Sequence, residues 1–228
     1  MNGKLIVSSS PHISSPTKTK NIMLDVIIAL VPALIASIVF FGIDAAIIIV
    51  VSVACCVFFE YICRKVMKRE QTIGDLSAVV TGLLLAFNLP STVPIYVPII
   101  GAAVAIIMAK QMFGGIGQNF VNPALFARIV LMNSFPVLMT TWAPSSMSGI
   151  DAATTASPLG LLASGAVDQI PSYMDLFIGN CAGCLGETSA LALLIGGIYL
   201  VAKKVIQPTR VSTSQQYLFF QQSWVRIR

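Results

Sequence analysis

The sequence predicts an all-α polytopic membrane protein with about six spans and broken helices. Three observations predict it. Of 228 residues, 56% are apolar and only 10% charged, where a soluble domain carries about 25% charged residues; the mean hydropathy is +0.86. Several apolar runs approach the roughly 20 residues that a helix needs to cross a bilayer. Lys and Arg also fall on one side once those runs are threaded. Such a composition excludes an ordinary soluble enzyme and a disordered chain. Five cysteines in 228 residues are too few for a disulfide-stapled secreted scaffold.

The first run covers 26–42, entered through Asp25 and containing Pro32. The second covers 45–63, with Asp44 at the tight turn between them and Arg64, Lys65, Lys68 and Arg69 stopping it. A shorter run over 79–89 is opened by Gly74-Asp75-Leu76-Ser77. The turn Asn88-Leu89-Pro90-Ser91-Thr92-Val93-Pro94 leads to a fourth run over 95–109, closed by Lys110. After the glycine-rich loop Gly114-Gly115-Ile116-Gly117-Gln118-Asn119 comes a fifth run over 124–139, with Arg128 near its start. Residues 140–175 are polar and rich in Ser, Thr, Pro and Gly. A sixth run over 176–202 is closed by Lys203 and Lys204.

Threading these runs places all fourteen Lys and Arg on one side. Three lie in the N-terminal arm, four after the second run, two around the glycine loop (Lys110, Arg128) and five after the sixth run. The opposite segments hold Asp44, Asp151, Asp168 and Asp175 and no Lys or Arg. Positive charge marks the cytoplasmic face, so both termini are expected inside and 140–175 outside. The net charge of +5 is then a topology signal, and no nucleic-acid partner is expected. The arm lacks a signal-peptide layout, and its first run is long enough to stay as an anchor.

Ile73-Gly74-Asp75-Leu76-Ser77-Ala78 resembles Leu185-Gly186-Glu187-Thr188-Ser189-Ala190. Both read apolar-Gly-acid-x-Ser-Ala and both open an apolar run, one travelling outward and one inward. This is the layout of an inverted-topology repeat with interrupted helices, although small-residue helix packing gives a similar pattern. Asp75 and Glu187, as acidic groups at membrane depth, are candidates for an ion path. They also suit the capping of broken helices. Asp25 and Glu60 fall near run ends and are expected at the interface.

In the polar segment stands Asp151-Ala152-Ala153-Thr154-Thr155-Ala156-Ser157-Pro158-Leu159. Ser157-Pro158 ahead of Leu-Gly-Leu-Leu-Ala reads as an N-cap, a proline at the first helical position and a short helix. On those residues alone, Ser157 need do nothing more than cap.

The nonapeptide also resembles the flavinylation motif Asp-x-x-Ser/Thr-Gly-Ala-Thr/Ser of the family that contains the D subunit of the Rnf complex and the B subunit of the sodium-translocating NADH:quinone reductase. Asp151, Thr154, Ala156 and Ser157 stand on the motif. Thr155 replaces its usual Gly, and Ser157 replaces its usual Thr while keeping the hydroxyl. Further similarity lies in Val7-Ser8-Ser9-Ser10-Pro11-His12, in Ile22-Met23-Leu24-Asp25-Val26, in Gly186-Glu187-Thr188-Ser189-Ala190, and in Phe113-Gly114-Gly115-Ile116-Gly117-Gln118-Asn119-Phe120-Val121-Asn122-Pro123-Ala124, over about residues 6–205. The short arm and the charged residues fit the Rnf version.

The resemblance implies a membrane subunit of an ion-translocating ferredoxin:NAD+ oxidoreductase in a bacterial inner membrane, relaying electrons and not catalytic alone. It implies FMN joined to Ser157 through a phosphoester by a flavin transferase. It also implies a second, noncovalent flavin (riboflavin), for which Asp75 and Glu187 are candidate contacts as they are for the ion path, together with partner Rnf subunits and coupling to Na+ or H+. A phosphate on an N-cap hydroxyl would meet free backbone N–H groups and the helix dipole. The implied architecture is similar to urea transporters: arm 1–21, first membrane repeat 22–139, external loop 140–175, start of the second repeat 176–204 and an atypical tail 205–228. The tail has no long apolar run, whereas the family continues with further spans. The expectation is therefore an incomplete second repeat in a C-terminally truncated or altered chain. A urea-transporter-type solute channel and a scaffolding fragment are the rival readings.

Cys181-Ala182-Gly183-Cys184 could be redox-active or ligate metal, but Cys55, Cys56 and Cys63 fall on another helix. A structural pair and no metal site are expected. His12 is the single histidine. With no Walker loop or dinucleotide fingerprint, NAD is not expected on this chain.

Overall fold

The computed structural model describes residues 19–119, 121–144, 157–166 and 171–206. His12, Asp151, Thr154, Ala156 and the tail from 207 onward lie outside the described residues. Within them every element is a helix and none is a strand.

Helix α1 runs Thr19–Val66 as two helical halves joined at Gly42. The Gly42 backbone (φ 70°, ψ −149°) breaks the helix there, a conformation that costs a residue without a Cβ little. The junction expected at Asp44 thus falls two residues earlier. The buried residues of the second half include Ser52, Cys56, Glu60 and Arg64, one every four residues, so they form one stripe. The opposite surface is apolar and exposed: Ile43 74%, Val50 66%, Phe58 56%. With apolar groups outward and polar groups inward, α1 has the pattern of a helix solvated by lipid.

A short 3-10 turn, Ile73–Asp75, precedes α2 (Ser77–Phe87). Eleven residues at 1.5 Å each span about 16 Å, roughly half a hydrocarbon core. Helix α3 (Tyr96–Ala103) continues as a π-helix over Val104–Gln111. Helix α4 (Pro123–Ser134) is N-capped by Asn122, whose Oδ1 accepts from the Ala124 N–H at 3.0 Å.

The expected fifth and sixth spans are both interrupted. The first of these stops at Ser134, and α5 (Pro136–Thr140) starts after Phe135 (φ −133°, ψ 58°). Pro136 supplies the cause, because the residue before a proline is pushed out of the α region. Past the short α6 (Pro158–Ala163), the run 176–202 divides into α7 (Tyr173–Ile178), which ends on Gly179 at φ 114°, and α8 (Ala190–Ala202). Among the described residues, only α1, broken at Gly42, is long and apolar enough to cross a membrane.

Helix α2 is the centre of the packing, and nine of its eleven residues are buried against α1, α3 and α4. Gly82 permits a close approach of α1: a Cβ there would lie 2.7 Å from the Val53 Cα. Phe40, Phe41, Leu83, Phe87, Val97 and Leu131 form one apolar core, and Cys56, Leu85, Ile106 and Ala127 form a second. Helix α8 lies on the first half of α1, with Gly196 directly over the Ala29 carbonyl.

Candidate functional site

Ser157 takes an extended backbone (φ −65°, ψ 154°) and caps α6, its Oγ accepting from the Gly160 N–H at 3.2 Å. The capping expectation holds. Ser157 is half-buried, and beside it Leu159 is 78% and Leu162 57% exposed. The hydroxyl therefore stands on an accessible, partly apolar ledge.

The two hexapeptides occupy the two ends of one helix. Asp75 closes the 3-10 turn and is half-buried just before α2. At the far end, the Leu185 N–H donates to Leu89 O (3.1 Å) and the Gly186 N–H to Phe87 O (3.0 Å). The second hexapeptide thereby satisfies carbonyls at the end of the helix that the first one opens. Glu187 is exposed there. Asp75 and Glu187 are therefore about one α2 length apart, roughly 16 Å, and do not form a single site. Cys184 Sγ donates to Asn88 O at 3.6 Å, while Cys181 is half-buried; both thiols are free.

The sequence does not anticipate a third region. Glu60 is fully buried within the protein (0% exposed) and forms an ion pair with Lys110 (2% exposed) at 2.9 Å. The Lys110 ammonium also donates to Ser77 Oγ at 2.7 Å. Thr72 Oγ1 donates to Glu60 Oε1 at 2.9 Å, and Gln111 Nε2 donates to the same oxygen at 3.1 Å. The helix ends here are stitched together: Arg69 Nη1 donates to Gln111 O (3.4 Å), Arg64 Nη1 to Glu70 O (3.3 Å), and the Gly115 N–H to Lys110 O (3.0 Å). Gly115 (φ 106°) leaves room for Arg64, whose Nη2 would be 2.6 Å from a Cβ at that position.

Two charges counted as topology markers are consequently engaged in the protein, Lys110 buried and Arg128 half-buried. Lys110 neutralises Glu60, and Arg128 Nη1 donates to Asn88 Oδ1 (2.7 Å) at the end of α2 away from Ser77. The four-residue spacing of Ser52, Cys56, Glu60 and Arg64 is the available signal for a polar face turned inward. Nothing in the sequence singles out Lys110, fifty residues from Glu60, as its counter-charge.

Residues 6–218 match the NQR2, RnfD, RnfE family, so the match enters the segment 205–228 that the sequence sets apart as atypical. The D subunit of the Na(+)-translocating ferredoxin:NAD(+) oxidoreductase complex of Acetobacterium woodii is 48% identical over 204 residues, covering 89% of this chain and 64% of that protein. The D subunit of the proton-translocating ferredoxin:NAD(+) oxidoreductase complex of Clostridium ljungdahlii is 42% identical over 208 residues, covering 88% and 63%. The D subunit of the ion-translocating oxidoreductase complex of Rhodobacter capsulatus is 34% identical over 230 residues, covering 88% and 64%. The chain thus spans just under two thirds of the length of these relatives.

Proposed function

The chain belongs to the NQR2, RnfD, RnfE family, and from that premise we propose that it is a membrane subunit of an ion-translocating ferredoxin:NAD+ oxidoreductase of the Rnf type, carrying FMN on Ser157. Its setting in this reading is a bacterial inner membrane, with both termini cytoplasmic and Ser157 on the outer side. Its partners are the other subunits of the complex, a flavin transferase during maturation, and Na+ or H+ as the coupled ion. The observation that carries the reading is the identity with relatives that are named for this reaction and its ion coupling.

The residues present fit the flavin. A phosphoester needs an accessible hydroxyl, and among the described residues Ser157 Oγ holds one accepted hydrogen bond, from the Gly160 N–H. Attachment would exchange that neutral acceptor for phosphate oxygens facing the same N–H, a stronger charge-assisted contact. Leu159 and Leu162 offer exposed apolar surface against which a ring system can rest. FMN supplies the electron chemistry, and the chain supplies position and surroundings. Asp75 and Glu187, at opposite ends of α2, are retained as separate candidates for ion or second-flavin (riboflavin) contacts.

The test is in-gel flavin fluorescence after SDS denaturation of the chain co-expressed with its partner subunits and a flavin transferase. Wild type should fluoresce at the chain's mass, Ser157→Thr should retain the signal and Ser157→Ala should be dark. Equal fluorescence from wild type and Ser157→Ala would remove the assignment.

A further inference from the structure

We propose that the Glu60–Lys110 pair is an exchange site for a small monovalent cation, in which the Lys110 ammonium and a dehydrated sodium-sized ion compete for the Glu60 carboxylate. The inference rests on the reading of the chain as an ion-translocating subunit and gives that activity a place in the fold.

The geometry supplies the ligands. A hard cation takes oxygen donors. Around Glu60 these are its two carboxylate oxygens and Thr72 Oγ1, with Ser77 Oγ on the far side of the ammonium and the Gln111 amide held against the carboxylate through its Nε2. Gln111 is the independent indication of a ligand. It is 1% exposed, and its Nε2 already holds Glu60, yet its Oε1 has no hydrogen-bond partner. A buried amide oxygen is seldom left unpaired. Here it stands one amide group away from a buried carboxylate, where a second positive group would satisfy it.

Charge balance sets the mode of action. The pair is neutral as it stands, so a cation enters at low cost only if the ammonium leaves the carboxylate. Lys110 reaches Glu60 through a flexible four-carbon stem, so a change of its rotamer withdraws the ammonium while Gln111 keeps its place. The two states are ammonium on carboxylate with the site closed, and sodium on carboxylate with the ammonium withdrawn. Glu60, Thr72, Ser77 and Gln111 need not move.

The experiment is a 22Na+ binding titration on the complex assembled around this chain in nanodiscs, with choline replacing sodium in the control. Lys110→Met removes the competitor and should bind sodium at least tenfold more tightly than wild type. Glu60→Gln should lose one sodium per chain. Gln111→Met leaves the Glu60–Lys110 pair intact, so it decides the matter if the charge variants do not assemble. It should weaken sodium binding at least fivefold. Equal binding by wild type and Gln111→Met, or by wild type and an assembled Glu60→Gln, overturns the site. In-gel flavin fluorescence of each variant separates the two proposals. Dark wild-type chains with the sodium shifts intact would sink the FMN assignment alone, whereas bright chains with no shift would sink the cation site alone.

Discussion

Helices α2 and α8 open on the same sequence pattern and end in opposite environments. In α2 nine of eleven residues are buried, and its neighbours are α1, α3 and α4. In α8 only Ala192 and Gly196 are buried, and Leu191, Leu193, Leu194, Ile195 and Ile198 face outward. Aligned on Ser77 and Ser189, Leu83 corresponds to Ile195; the first is 5% exposed and the second 51%. The glycines that admit α1 do not align either. Gly82 meets Val53 five residues after its serine, whereas Gly196 meets Ala29 seven residues after its own. The motif thus sets how a half-length helix starts, and the tertiary neighbours set what its sides do. In a bilayer this difference matters, because moving an apolar side chain from protein to lipid has no hydrophobic cost; only packing separates the two sites.

Leu83→Ala is expected to produce the largest effect. The site is closed on all sides, so the lost contacts and the cavity together should cost about 2–5 kcal/mol, read as a lower midpoint in SDS-induced unfolding of the purified chain. Next is the serine comparison. Ser77 Oγ accepts from the buried Lys110 ammonium, while Ser189 Oγ accepts only from the Ala192 N–H at 3.3 Å. Ser77→Ala leaves a buried charge short of an acceptor and should cost about 1–3 kcal/mol. Ser189→Ala removes a helix cap and should cost about 1 kcal/mol. Equal losses at the two serines would mean that Ser77 acts as a helix cap and not as a partner of Lys110.

How far the sequence carries the fold follows from the range of the forces involved. The apolar runs, the polar turns and the N-cap at Ser157 are local, and they are legible. Charge points to Asp44 as the break between the first two runs, but Gly42 carries it because the backbone torsion decides. Pro136 signals the split after Ser134, and hydropathy averaged over 124–139 hides it. Long-range pairing leaves no trace. Nothing local in the sequence joins Lys110 to Glu60, and they become partners only when their helices cross. At the proposed flavin site, the capping role of Ser157 is legible from Ser-Pro; its use as an acceptor rests on the resemblance of the surrounding motif and on Ser157→Ala.

The smallest effect should come from Ile195→Ala, and it tests the comparison most directly. If the outer face of α8 meets acyl chains, truncating Ile195 exchanges one lipid contact for another, and the SDS midpoint of the chain should move by no more than about 0.5 kcal/mol. Leu83→Ala at the aligned position should exceed it several-fold. The same pair of variants measured in the assembled complex then reports what covers α8. A loss that stays small places lipid on this face. A loss that rises to about 1–2 kcal/mol only on assembly places another subunit there, because packing is what helices in lipid exchange for association. A loss as large as that of Leu83→Ala in the isolated chain would show that α8 is packed as tightly as α2, and the contrast between the two copies would fail.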